Sequence, residues 1–134
     1  MITADLIIKD GTCVTHDRVF KADIAVKKGK ILKIGILDNY KAKKTLSAKG
    51  LHILPGAFDT QVHFREPGQE YKEDLNSGSR SAIAGGITTV FDMPNNNPSI
   101  STKKLFKKKL SDAKNRMFCN CLLYTSDAAD DIPG

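Results

Sequence analysis

The first part of the chain alternates short apolar runs with polar turn residues. DLIIKDGTCVT and ADIAVKKGKILKIG each carry a Gly-containing pair between two apolar runs. Asp10-Gly11 and Lys28-Gly29 are typical of tight turns between paired strands, so each predicts a β-hairpin. We therefore expect a small antiparallel β-sandwich unit over residues 1–54. His16 and His52 are expected on its surface, because neither has a second type of metal ligand nearby.

A second pattern begins after Pro55-Gly56. AFDTQVHF and ITTVFDMP are typical of strands, and the small-residue stretch between them predicts a helix that ends at Gly85-Gly86. A basic helix and MFCN, the start of a third strand, follow. Alternating strands and helices are typical of a parallel α/β fold. A closed (β/α)₈ barrel needs about 250 residues. With 134 residues in the chain, residues 55–120 form at most the first βα units, and the barrel is incomplete.

The positive charge of the chain is concentrated in the basic helix. The net charge is +6, and STKKLFKKKLSDAKNR carries much of the excess. Phe106, Leu110 and Ala113 recur at helical spacing, which predicts an amphipathic helix with these three residues facing inward. The basic residues are then expected to form a solvated cationic face: Lys103, Lys104, Lys107, Lys108, Lys109, Lys114 and Arg116. A nucleic-acid surface is disfavoured because no aromatic platform is interleaved with them.

Composition narrows the class of protein. Hydrophobic residues make up 40% and charged residues 27%, which is ordinary for a globular protein. The sequence shows no signal-peptide pattern and no apolar run long enough to span a bilayer, so we expect a cytoplasmic protein without a membrane partner. The odd number of cysteines, Cys13, Cys119 and Cys121, fits reduced thiols. Cys119 and Cys121 lack the second pair that a cysteine zinc site needs.

The last residues follow neither pattern. CLLYTSDAAD resembles the conceptual translation of a transposase-type sequencing adaptor. We therefore expect residues 121–134 to be a non-native tail. A natural variable terminus is the alternative.

The strand AFDTQVHF and its continuation carry side chains suited to a site. Because side chains alternate along a strand, Asp59, Gln61, His63 and Arg65 are expected to point the same way, towards the edge where barrel active sites lie. His63 offers an imidazole nitrogen to a metal, and Arg65 is a planar fork for a carboxylate. DMPN brings Asn95 to the same edge. A purely structural His–Arg pair is the alternative.

Taken together, these motifs resemble the beginning of the barrel in class I dihydroorotases of the amidohydrolase superfamily. HFREPG, KED, the Gly-rich helix end and DMPN occur in that family's order and spacing, and the resemblance extends from the N-terminus to about Asn120. Hydantoinases and dihydropyrimidinases lack the pairing of HFREPG with DMPN. Allantoinases share the layout but usually differ after the histidine motif, and both groups remain alternatives as cyclic amidases.

The resemblance implies reversible hydrolysis of dihydroorotate to N-carbamoyl-aspartate in pyrimidine biosynthesis, with zinc as the cofactor. His63 matches a zinc ligand, and Arg65 and Asn95 match residues that hold the substrate carboxylate. His63 and Phe64 are also expected to contact the substrate, as parts of the same motif. The remaining ligands and the proton-shuttling carboxylate would follow Asn120, so no catalytic residue is assigned within this chain, and the chain alone is expected to be inactive.

Gln61 departs from the family motif, which has His-x-His at this place. Its amide oxygen is a weaker zinc ligand than imidazole. Three outcomes stay open: a single metal held by later ligands, ligation by Gln61 that is weak or passes through water, or a site without activity. In the last case the protein would be a non-catalytic subunit that supports aspartate transcarbamoylase. A homodimer is the other expected assembly.

Overall fold

The computed structural model describes residues 1–125, which divide into two compact units. The first unit ends at Pro55 and the second begins at Gly56. The strands of the first unit are β1 (Ile2–Val14), β2 (Val19–Lys27), β3 (Lys30–Gly35), β4 (Tyr40–Ser47) and β5 (His52–Ile53). The second unit contains β6 (Ala57–Val62), α1 (Leu75–Ala84), β7 (Ile87–Asp92), α2 (Lys103–Ala113) and β8 (Asn120–Leu123).

The first unit is one five-stranded sheet over its described residues. The strand order is β3-β2-β1-β4, and β5 also pairs with β1. The β1–β2 and β2–β3 pairs are antiparallel, as predicted, whereas β4 and β5 both run parallel to β1. The sheet is therefore mixed rather than wholly antiparallel, because the chain crosses from β3 at one edge to β4 beside β1. Its core is a cluster of small and aliphatic residues: Ala4, Ile7, Ala25 and Leu37.

The two predicted turns of this unit have different outcomes. Lys28 and Gly29 connect β2 to β3 with φ values of 50° and 72°, which confirms the tight hairpin. The hairpin predicted at Asp10-Gly11 is wrong, because β1 continues through both residues and carries a bulge there. Asp10 has a φ of 62°. A Cβ on Gly11 would collide with the Ile53 side chain. The same residue types thus serve a bulge in a continuous strand.

The second unit confirms the predicted alternation of strands and helices. Its three strands form a parallel sheet in the order β6-β7-β8. Asp74 caps α1: its side chain accepts from the Ser77 backbone, and the Ser77 hydroxyl accepts from the Asp74 backbone. The helix ends at Gly85-Gly86, as predicted, and Gly86 has a φ of 84°. The core of this unit is a buried cluster: Phe64, Leu75, Val90 and Cys119.

The inner face of α2 differs from the predicted one. Lys109, expected on the cationic solvent face, is 2% exposed, whereas Leu110, expected inside, is 48% exposed. Arg116, beyond the helix end, is also drawn inward and paired with Glu66. Phe106 and Ala113 are half-buried, as predicted, and Ala113 packs against the core. Lys109 is buried because the Asp92 carboxylate faces it. Neither helix among the described residues has the length and apolar character needed to cross a bilayer.

The third strand of the second unit lies at the boundary of the predicted tail. Asn120–Leu123 pair in parallel with β7, and the Tyr124 amide donates to the carbonyl of Asp92. An apolar run can adopt this pairing whatever its origin. The foreign origin of residues 121–134 therefore stays a prediction, and residues 126–134 lie outside the described part of the chain.

Leu75→Ala should destabilise the second unit by about 2–5 kcal/mol, because the Leu75 side chain is fully buried and its truncation leaves a cavity. Leu110→Ala makes the same chemical change on the solvent face of α2 and should alter stability by no more than about 0.5 kcal/mol. Urea unfolding followed by circular dichroism gives both values. Equal losses in the two variants would contradict the observed orientation of α2.

Candidate metal and substrate site

The site begins at an irregularity in β6. Asp59 pairs with Val90 and Val62 pairs with Asp92, so β6 carries one more residue than β7 over this stretch. The Asp59 side chain accepts a hydrogen bond from the Gln61 backbone amide at 3.0 Å. The alternation predicted from Asp59 to Arg65 is therefore interrupted between Asp59 and Val62, as a bulge requires. Bulges near active sites commonly redirect side chains in this way.

Beyond the bulge the expected alternation holds. Gln61, His63 and Arg65 are exposed, while the residues between them turn towards the core. His63 Nδ1 lies 2.9 Å from Asn95 Oδ1, which joins the end of β6 to the loop after β7. An amide oxygen can only accept, so with Asn95 Oδ1 facing the ring Nδ1 is the donor, and Nε2 is the ring nitrogen left to face a metal. A metal-bound imidazole commonly donates its other ring N–H in this way.

Phe64 anchors the segment that carries His63 and Arg65. Its ring is 6% exposed and belongs to the core cluster. Its backbone amide donates to Asp92 Oδ1 at 3.0 Å, and its carbonyl accepts from Asn96 Nδ2 at 2.8 Å. Both backbone groups of this residue are therefore held by side chains. The substrate-binding role of Phe64 stays a prediction, and its observed contacts are those of a core residue.

Arg65 and Asn95 line a small cavity of about 20 Å³. That volume is enough for about one water molecule, so the described residues form one wall of a pocket rather than a whole one. Gly68 has a φ of 102°, and a Cβ there would collide with the Asn97 carbonyl oxygen. Only glycine therefore allows the two loops to approach this closely. The other lining residues are Phe64, Gln69, Asn96 and Asn97.

An ion pair between the buried Glu66 and the partly exposed Arg116 holds the loop after β6. Both oxygens of Glu66 accept from the Arg116 guanidinium, at 2.6 and 2.9 Å, and Oε2 also accepts from the Leu75 amide. The hydrogen-bonded Arg116 holds the pKa of Glu66 below its ordinary value of 4.5, against the opposing effect of burial. The sequence does not indicate this pair, because 50 residues separate its members.

A second buried network lies at the end of β7. Lys109 Nζ is 2.5 Å from Asp92 Oδ2 and 2.6 Å from Asn96 Oδ1. Burial raises the pKa of Asp92 above its ordinary value of 3.8, and the hydrogen bond and charge of Lys109 oppose that rise. Nothing in the sequence distinguishes Lys109 from its neighbours, since it is one of three consecutive lysines.

The described residues supply only part of a metal-binding set. Within residues 1–125, no three His, Cys, Asp or Glu side chains come together as metal ligands. His63 Nε2 and the Gln61 amide oxygen are suitable donors, but a catalytic zinc needs about three protein ligands. Burial raises the pKa of the Cys119 thiol and raises that of Cys121 to about 12. Both thiols therefore stay protonated near neutral pH and are poor metal ligands.

The amidohydrolase family matches residues 52–127, and the chain belongs to this family. Members of the amidohydrolase superfamily are metal-dependent. The match covers most of the second unit, including β6, His63 and the loop after β7.

Individual relatives within this family include dihydroorotases. The chain is 40% identical over 129 residues to a dihydroorotase of Lactobacillus gasseri, which covers 94% of this chain and 30% of that protein. It is 41% identical over 119 residues to a dihydroorotase of Aquifex aeolicus, covering 87% of this chain and 28% of that protein. The chain thus spans less than a third of the length of these relatives.

Solved structures agree on the fold. An L-hydantoinase (dihydropyrimidinase) from Arthrobacter aurescens has a TM-score of 0.82 at 32% identity, covering 91% of this chain and 28% of that one. A D-hydantoinase from Thermus sp. has a TM-score of 0.74 at 26% identity, covering 90% and 27%. These likenesses confirm the predicted fold class, a β unit followed by the first part of an amidohydrolase (β/α)₈ barrel.

Glu66→Gln should destabilise the second unit at pH 7 by about 1–2 kcal/mol, a value lowered for the partial exposure of Arg116. The folded-state pKa of Glu66 is depressed, so the stability from its charge is present above the unfolded value of 4.5. That stability is lost as the pH falls through the folded-state pKa. Urea unfolding across this range should show the difference between parent and variant shrinking with acid. A difference independent of pH would refute the ion pair.

Proposed function

We propose that the chain is the N-terminal part of a dihydroorotase, which hydrolyses dihydroorotate reversibly to N-carbamoyl-aspartate in pyrimidine biosynthesis. The observation that carries the proposal is the meeting of three side chains where β6 and β7 end. His63 contacts Asn95, and Arg65 lines a cavity with Asn95. An imidazole with a free nitrogen beside a guanidinium and an amide suits a substrate that carries both an amide bond and a carboxylate.

The proposed cofactor is zinc, with His63 Nε2 as one ligand and the Gln61 amide oxygen as a weaker second one. When bound, zinc would supply Lewis-acid polarisation of the scissile carbonyl. The donor types present fit zinc, and the ligands needed to complete its shell would come from residues outside this chain. The chain alone is accordingly proposed to be inactive.

Arg65 and Asn95 orient the substrate in this proposal. Arg65 is exposed, and two parallel N–H groups of its guanidinium can hold both oxygens of a carboxylate. Asn95 Oδ1 accepts from His63, which leaves its amide Nδ2 as a donor towards the cavity. The described residues contain no group that we assign to moving the proton.

The second candidate is a non-catalytic subunit that supports aspartate transcarbamoylase, and Gln61 is the residue that favours it. A cyclic amidase of the hydantoinase or allantoinase type is the third. Arg65 favours dihydroorotate over the substrates of those enzymes, because an acidic substrate has an evident use for it. A cytoplasmic location and a homodimer complete the proposal. Reduced thiols fit that location, since the three cysteines are free in the structure.

Gln61→His in the full-length protein should raise the zinc content per chain, because imidazole is a stronger zinc ligand than an amide oxygen. Elemental analysis of the purified protein measures the metal, and absorbance of dihydroorotate follows hydrolysis. Both should rise together. If the parent already holds a full complement of zinc and turns over as fast as the variant, Gln61 is a competent ligand.

Arg65→Ala is the matched test of substrate binding in the same protein. It should raise KM for dihydroorotate by about 10- to 100-fold through loss of a charge-assisted pair, and it should leave zinc content unchanged. Zinc content is the control, because a guanidinium does not bind a cation. Absence of both metal and substrate binding in the parent, Gln61→His and Arg65→Ala would favour the non-catalytic subunit.

A further inference from the structure

We propose that Lys109 of α2 is a positioning residue, which fixes the segment carrying His63 and Arg65 through Asp92 and Asn96. The contribution of Lys109 to catalysis rests on the proposed function. Its effect on the position of the segment that carries His63 and Arg65 does not. Lys109 and its two partners, Asp92 and Asn96, all belong to the second unit.

The charged end of Lys109 is buried together with its partner. The side chains of Lys109 and Asp92 are 2% and 0% exposed. An ammonium and a carboxylate buried this deeply lose most of their hydration, so each must be paired and hydrogen-bonded to remain charged. Replacing the pair with apolar residues of similar volume often preserves stability. Stability alone therefore does not explain why a charged pair occupies this place.

The two carboxylate oxygens of Asp92 have different partners. Asp92 Oδ2 contacts Lys109, and Asp92 Oδ1 accepts from the Phe64 amide. An ionised oxygen is a stronger acceptor than a neutral one. By favouring the ionised form of Asp92, Lys109 strengthens the bond that fixes the Phe64 amide.

Asn96 provides a second connection between Lys109 and the segment. Lys109 donates to Asn96 Oδ1, which fixes the orientation of the side-chain amide. Its Nδ2 then points towards two carbonyl oxygens, those of Phe64 at 2.8 Å and Glu66 at 3.0 Å. One ammonium thus fixes the segment from both sides: the Phe64 amide through Asp92, and the carbonyls on either side of Arg65 through Asn96.

The consequence is geometric. Arg65 lies between the two carbonyls held by Asn96, and His63 precedes the amide held by Asp92. Asn95, which contacts His63, directly precedes Asn96 in the chain. Lys109 contacts none of the residues proposed to touch the metal or the substrate, and it acts on them only through their backbone. A displacement of about 1 Å at such residues can lower the rate of an enzyme about 100-fold.

The test compares Lys109→Met with Lys107→Met in the full-length protein. Lys107 is an exposed lysine on the same helix, so this control makes the same chemical change without touching the network. Hydrogen–deuterium exchange by mass spectrometry is followed in peptides covering residues 63–68 and 87–91. In Lys109→Met, exchange at 63–68 should be about tenfold faster than in the control, since hydrogen bonds that protect it are lost. Exchange at 87–91 should change by less.

A second variant separates positioning from simple charge compensation. Asp92→Asn combined with Lys109→Met removes both charges and leaves an amide oxygen that can still accept from Phe64. If Lys109 only neutralises Asp92, this double variant should restore exchange at 63–68 to the control value. If Lys109 positions Asn96, the segment should still exchange faster while thermal unfolding recovers. Restored exchange, or unchanged exchange in Lys109→Met, overturns the proposal.

Activity supplies an independent readout. In the double variant KM for dihydroorotate should rise about tenfold with a smaller change in kcat, because the groups that hold the substrate are displaced. If the parent protein does not hydrolyse dihydroorotate, the proposed function fails, but the exchange comparison still decides the role of Lys109. Loss of protection throughout the second unit in both variants would make Lys109 a general stability residue and would also overturn the proposal.

Discussion

The carboxylate of Asp92, buried at the end of β7, is the constraint on which the geometry of the second unit depends. A buried charge has to be paired and hydrogen-bonded, and two elements besides β7 supply the partners of this carboxylate. Lys109 of α2 contacts one carboxylate oxygen, and the Phe64 amide, just after β6, donates to the other. The requirement to satisfy one carboxylate thereby sets the relative placement of two strands and a helix.

The second ion pair extends this arrangement to the other side of the same loop. Glu66 is held by Arg116, which follows α2, and by the Leu75 amide at the start of α1. Glu66 also provides a carbonyl that Asn96 holds. The loop between β6 and α1 is therefore held by polar groups from three directions, while the ring of Phe64 fixes it to the core. Such support is what a loop needs if exposed residues on it are to keep a fixed geometry.

The same architecture separates position 61 from the segment that carries Arg65. The network beneath the loop touches Phe64 and Glu66, both buried, and does not include the Gln61 side chain. A change of the side chain at position 61 is therefore not expected to disturb the backbone that carries Arg65. The relatives that share this part of the chain are dihydroorotases at 40% and 41% identity.

The sequence by itself determined the order and type of most elements, because these follow from local pattern: the hairpin at Lys28-Gly29, the capped helix ending at Gly85-Gly86, and the parallel βαβ alternation. It also brought together His63, Arg65 and Asn95, since parallel strands end at one edge. Prediction from the sequence was wrong where the same residue types have different partners distant in the chain. Asp10-Gly11 became a bulge because strand pairing continued past it, and Lys109 became buried because Asp92 and Asn96 face it. Only the tertiary structure decides such cases, because a buried charge is placed by partners distant in sequence.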